Sequence, residues 1–426
     1  MTSHLRRPVF SRPVLACLAF AVSLAGLLVS ARPALAEDTI KVANIDPYSG
    51  TFAAQGDVGL KVLNYIVEGV NAKGGALGRK FEMVAFDSKF QPAEALIALK
   101  SVIDQNITFV THCNGSNVAA ALIDGIAKHN ARNPDHRVLY LNCGALATEL
   151  TNEQCDFWHF RFDGNVGMRA FTLVKGLPKT LKTVYLLNQD YLFGQSIQKD
   201  TKKYLAELRP DIQIVGDEMV PLGKVKDFSP YVAKIKASGA QGLITGNFGP
   251  DLALLLKAGV DAGLDIGYYS YLAHVVGSVT AIGSAGENRL STVSEFHENV
   301  PIEVGNAEAD TWIRGWRDRH GEIDFFMAPW RTMFEMLALA INKAGTIDAY
   351  KVALQLEGLE TKDMVGQPTF MRKDDHQLIH PFYQSILTKD VKYDSEKTGL
   401  GWKTQSMANA AELTQPTICK MKRPAS

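Results

Sequence analysis

The chain has 426 residues, 46% of them hydrophobic, with 45 Lys and Arg balancing 45 Asp and Glu. That balance lacks the basic footprint of a nucleic-acid binder, and the length exceeds what one ordinary core organises, so two domains are expected. Setting aside residues 1–36, which carry four arginines and no acid, leaves 41 basic against 45 acidic side chains and a net charge of minus four.

Those first 36 residues have the three parts of an export leader. Arg6, Arg7 and Arg12 form a basic start, Val14 to Ser30 is apolar, and Ala34-Leu35-Ala36 is a small-residue cleavage site. The apolar run is short for a spanning helix of about 20 residues, so the expected product begins at Glu37, is soluble and resides in the periplasm. Cys17 sits too early in that run for a lipid anchor, and Pro8-Val9-Phe10 after the paired arginines fits folded-state export poorly.

From residue 39 onward, strand and helix patterns alternate, which predicts parallel sheets flanked by helices. TIKVANI reads as the first strand, and the next helix gathers Val62, Leu63, Ile66, Val67 and Val70 on one face. The intervening turn has glycines at 50, 56 and 59, so the GxGxxG dinucleotide pattern is absent. FEMVAFD, ITFVTHC and VLYLNC continue as strands, separated by the helices PAEALIALKSVID and NVAAALIDGIAKH. A second cycle follows, with TVYLLNQ, IQIVGDEMV, GLITGNF and IGYYSYL as strands. After RLSTVSEF, helices near 307–319, 328–344 and 347–359 suit a return to the first lobe, and QPTFMR and FYQSILTKD close the chain as strands.

The expected organisation is a leader over 1–36, lobe I over 37–162, lobe II over 163–292, lobe I again over 293–367, and lobe II with the tail over 368–426. Crossings between lobes are expected near 161–165, 291–295 and 367–372. Cys113, Cys143, Cys155 and Cys419 lack metal-ligand spacing. Either a Cys143–Cys155 bridge staples the loop between them, or Cys113 and Cys143 are buried free thiols.

In open α/β sheets, ligands bind beyond the carboxyl ends of the strands. Ser49 and Gln55 follow strand one. Asn114, Ser116 and Asn117 stand at a helix start, where free N–H groups and the helix dipole favour an anion, although Ser116 also reads as a plain helix cap. Ala145 and Leu146 follow the next strand as candidate amide donors. Tyr191 and Phe193, Asn247 and Phe248, and Leu272 end strands of the second cycle. His274 lies near the same edge, with a packing role as the plainer alternative.

The chain resembles the leucine-binding protein family, the periplasmic binding proteins of branched-chain amino acid type ABC importers. IKVANIDPYSG with AAQGD, VNAKGGALGRKFEMVAFDSKFQPAEA, Gly115-Ser116, GALATELT, DYLFG and DFSPYVAKIKASGAQGLITG recur in the family's order. The resemblance implies two Rossmann-like lobes joined by a three-strand hinge, a small-molecule ligand between them, and closure that presents a monomer to membrane permease subunits. It implies a carboxylate at Ser116 but departs from the amino-acid binders twice. Leu146 stands where a hydroxyl is usual, and Leu272 where an acid meets the ammonium, with Asp190 as the nearest substitute. A buried ammonium without an acid costs several kcal/mol, so a small organic carboxylate, such as a benzoate or hydroxycinnamate relative, is expected over an amino acid. A ligand-sensing partner of a separate receptor is the alternative role. GxSxG, HExxH, P-loop and CxxC motifs are absent, so neither enzyme chemistry, metal nor cofactor is expected.

Overall fold

The computed structural model describes residues 39–321 and 323–424. The expected leader, Cys17 included, lies outside them.

The first lobe starts with β1 (Ile40–Asp46), α1 (Ala53–Ala72), β2 (Phe81–Asp87), α2 (Pro92–Asp104), β3 (Phe109–His112), α3 (Ser116–Arg132), β4 (Leu139–Asn142) and β5 (His159–Arg161). Its five strands pair in the order β2-β1-β3-β4-β5, all parallel. The apolar face of α1 is buried as its spacing requires. A Cβ at Gly56 would lie 1.8 Å from the Pro47 carbonyl oxygen, so only glycine lets this helix start beside the turn.

The second lobe follows with α4 (Val166–Lys175), β6 (Thr183–Gln189), α5 (Leu192–Leu208), β7 (Gln213–Val220), α6 (Ser229–Ala237), β8 (Gly242–Thr245), α7 (Gly249–Asp261), β9 (Gly267–Ser270), α8 (Ser278–Ile282) and β10 (Leu290–Ser294). The chain then adds α9 (Val300–Glu303), α10 (Ala307–His320), α11 (Ala328–Ala344) and α12 (Ala349–Leu356). Ile313, Trp316, Met333, Phe334, Leu337 and Ile341 from these helices share one apolar core with β1 to β4, which is why they return to the first lobe.

A small sheet of β11 (Glu360–Lys362), β12 (Pro368–Met371) and β13 (Leu378–Ile379) follows, then β14 (Phe382–Thr388), β15 (Gly401–Ala408) and α13 (Ala410–Leu413). The seven-stranded sheet runs β15-β14-β10-β9-β8-β6-β7, with β14 and β15 antiparallel at one edge. The QPTFMR segment, expected to re-enter the second lobe, instead pairs with β11 and β13. The chain joins the seven-stranded sheet only at Phe382, so the third crossing falls about ten residues later than the pattern indicated.

Neither cysteine expectation holds. Cys113 bonds Cys143 and Cys155 bonds Cys419. The ends of the paired strands β3 and β4 set the first two Cα atoms 4.5 Å apart, and the tail brings Cys419 alongside the loop of Cys155, with Thr417 on Asn152. A staple from Cys143 to Cys155 is thereby excluded.

Candidate functional site

The carboxyl ends of both sheets face a cavity of about 80 Å³, lined by residues of both lobes. Strand order grades its chemistry. Segments after β6 and β8 bring Tyr191, Phe193 and Phe248, whereas those after β5, β9 and β10, nearest the crossings, bring Asp163, His274 and Glu295.

On the first lobe, α3 opens onto this space through Asn114, Gly115 and Ser116. Gly115 adopts φ of 101°, and its close contact with the Phe90 ring leaves little room for a side chain. The first-turn N–H groups of α3 have no acceptor inside the helix and carry the positive end of its dipole. Ser116 is buried, and its Oγ accepts the Ala147 N–H at 3.2 Å, tying the helix start to the loop after β4. Asn114 donates to Asp46, which also accepts from Asn44 and the Cys113 N–H. Burial pushes the Asp46 carboxyl up to about 7 despite these donors.

Arg161 shapes the loop carrying Leu146. The fully buried guanidinium donates to the Ala147 carbonyl at 2.6 Å and to Gln377 Oε1 at 2.7 Å, and also reaches Thr151. Asn142 Oδ1 accepts the Ala145 N–H at 2.8 Å, which leaves Leu146 to face the cavity. Trp330 of α11 donates its indole N–H to the Cys143 carbonyl at 2.5 Å and adds an aromatic wall.

The lobes touch across the mouth. Phe52 stacks on Phe90 of its own lobe with centroids 4.3 Å apart and on Phe248 of the other at 5.3 Å. Asn117 Oδ1 accepts the Leu192 N–H at 3.2 Å, a second link between lobes.

At the hinge end, Arg169 is buried between two carboxylates, 2.7 Å from Glu295 and 3.1 Å from Asp163. Its other amino group donates to the Tyr271 and Val293 carbonyls. Burial raises both acids, Glu295 to about 8, with Arg169 opposing and Asp163 reinforcing the shift on Glu295. Gln377 donates to the Asp163 carbonyl while accepting from Arg161, so residues near all three crossings share one buried network.

Of the sequence-predicted residues, Gln55, Asn114, Ser116, Leu146, Tyr191, Phe193, Phe248 and Leu272 line the cavity, and His274 does too. Four do not. Ser49 is exposed, its hydroxyl donating to Asp87 at 2.6 Å. Asn117 is used between the lobes, the Ala145 N–H is taken by Asn142, and Asn247 is wholly buried behind the wall. Asp190 is exposed and accepts from Gln195. Sequence reasoning missed Phe52, Trp330, Arg169, Asp163 and Glu295. The acids follow β5 and β10 at the expected crossings, strand ends that the sequence reading treated only as connections between lobes; a charged residue beside each was the available signal.

Two sheets whose parallel strands end around one small cavity, with three crossings beside it, define a cleft-type binder of small molecules. The chain belongs to the periplasmic binding protein family, which matches residues 39–390, and is of the type I, branched-chain amino acid transporter kind that supplies solute-binding proteins to ABC transporters. It is 30% identical over 423 residues to Leu/Ile/Val-binding protein homolog 4 of Brucella melitensis, covering 98% of this chain and 99% of that one. A leucine-, isoleucine-, valine-, threonine- and alanine-binding protein from Brucella ovis, solved in a closed conformation, matches with a TM-score of 0.82 at 27% identity, over 91% of this chain and 100% of that one. An R. palustris solute-binding protein in complex with benzoate matches with a TM-score of 0.75 at 20% identity, over 90% and 99%, a likeness of fold.

Proposed function

We propose that this chain is exported to the periplasm, captures a small organic carboxylate with an apolar or aromatic body, and delivers it to the permease subunits of an ABC importer. The observation that carries this reading is the amide-rich start of α3 opening into a cavity walled by Leu146, Tyr191, Phe193, Phe248, Leu272 and Trp330. A carboxylate satisfies the free first-turn N–H groups, and a ring or alkyl body gains from the walls. No bond is made or broken: a ligand that touches both lobes only when they meet shifts the population toward closure by its differential affinity. The benzoate complex of the structural relative supports a fold able to hold such an acid.

An α-amino acid is the second reading. Asp163 and Glu295 line the cavity and supply the acid that Leu272 does not, and the names of the nearer relatives point the same way. Against it, both carboxylates are engaged by Arg169, so an ammonium group would compete with a cation already in place. A thermal-shift screen of aromatic acids against free amino acids separates the two. Stabilisation by benzoate-type acids supports the proposal, and stabilisation by leucine alone rejects it.

A further inference from the structure

We infer that the ligand carries a neutral hydrogen-bonding group, a hydroxyl or carbonyl, at the end opposite its carboxylate, and that His274 reads it from the hinge end of the cavity. This rests on the organic-acid reading and narrows its substrate class.

His274 is 4% exposed and lines the cavity. Its Nδ1 lies 3.0 Å from Thr292 Oγ1, and its ring stands edge-on to Phe326 with centroids 4.8 Å apart, so the imidazole is held in one orientation. Nε2 is buried and has no partner in the protein. Burial, with Arg169 and His297 adding to it, keeps the ring neutral, and a neutral imidazole presents one donor and one acceptor. A buried polar atom left unpaired is costly, and a ligand group arriving at Nε2 removes that cost only in the bound state.

The neighbouring charges argue that the arriving group is neutral. Arg169 meets two carboxylates and two backbone carbonyls through its two amino groups, which leaves only its Nε–H without a partner, so the charges of this cluster are largely compensated internally. Val275, Val276 and Met327 line the space around it with apolar surface. A whole charge placed there would be desolvated without an unclaimed counter-ion, whereas a hydroxyl needs only one partner. His274 and Phe326 also wall an adjoining space of about 10 Å³, room for roughly one water, which is the competing partner for Nε2.

Titration calorimetry of the full chain with benzoate, 3-hydroxybenzoate and 4-hydroxybenzoate, repeated on His274→Phe and His274→Gln, tests the inference. One hydroxylated acid is expected to bind the unaltered chain about tenfold tighter than benzoate, His274→Phe to abolish that preference while still binding benzoate, and His274→Gln to restore part of it. A preference that survives in His274→Phe, or benzoate binding as tightly as both hydroxylated acids, overturns the inference and leaves the organic-acid reading standing. Failure of all three acids beside tight binding of leucine overturns both.

Discussion

Phe52 and Phe248 stack across the cleft, one ring from each lobe, with centroids 5.3 Å apart and planes 22° apart. Phe90 backs the first ring and Phe193 meets the second edge-on at 6.5 Å, so the contact continues into the ligand wall. Each such pair contributes roughly 0.5–1.5 kcal/mol beyond simple burial, and here the contribution exists only while the lobes meet. Phe52→Ala should therefore raise the ligand Kd by about two- to tenfold, through a smaller closed population, with an unchanged circular dichroism spectrum. Phe248→Ala should lose more, because it removes wall and latch together. Undiminished affinity in either variant would remove that residue from the account.

Gly144 tests how the loop after β4 is seated. A Cβ there would lie 2.4 Å from the Cys113 carbonyl oxygen, so the strand ends must part to accept one. Gly144→Ala should cost about 1–3 kcal/mol in denaturant unfolding and should weaken binding as well, since the same loop presents Leu146. Stability equal to that of the unaltered chain would contradict this packing.

The two disulfides should separate in their effects. Cys155–Cys419 ties the tail back across 264 residues of sequence and lies away from the cavity. Replacing both of its cysteines by serine should cost about 2–5 kcal/mol of stability and leave ligand affinity alone. Cys113 lines the cavity, so losing Cys113–Cys143 should lower stability and affinity together. Calorimetric unfolding and titration on the two double variants check the contrast.

Glu295 gives stability a definite pH slope. Burial first, then the charge on Asp163, holds its carboxyl up to about 8, with Arg169 opposing, against an ordinary value of 4.5. Between those values the folded protein keeps a proton that the unfolded chain has released. The contribution is therefore fully present below about 4.5 and is lost as pH rises through about 8. Glu295→Gln should flatten the decline in Tm between those limits relative to the unaltered chain. A parallel pair of curves would show that Glu295 does not titrate as described.

Much of the fold was legible because its strands and helices carry clear apolar patterns: β1, β6 and α11 bury the residues that those patterns mark. What escaped was set by contacts remote in sequence. β5 is three residues long and is a strand only because β4 lies beside it, and QPTFMR looked like a second-lobe strand until β11 and β13 claimed it. At the site, residues that follow strands in a simple way, such as Ser116 and Phe193, were readable from order alone. Ala145 and Asn117 do not line the cavity, because a local side-chain acceptor and a contact from the other lobe decide where their polar groups go. In the Asp163–Arg169–Glu295 cluster, Arg169 and Glu295 are 126 positions apart, and no local pattern announces their pairing.

The most direct measurement is a crystal structure of the chain grown with the tightest-binding acid from the thermal-shift screen. The account predicts a carboxylate within hydrogen-bonding distance of the first-turn N–H groups of α3 at Ser116, with the body of the molecule between Leu146 and Phe193. A ligand seated with its charged group on the Asp163–Glu295 pair, and the start of α3 unvisited, would contradict it.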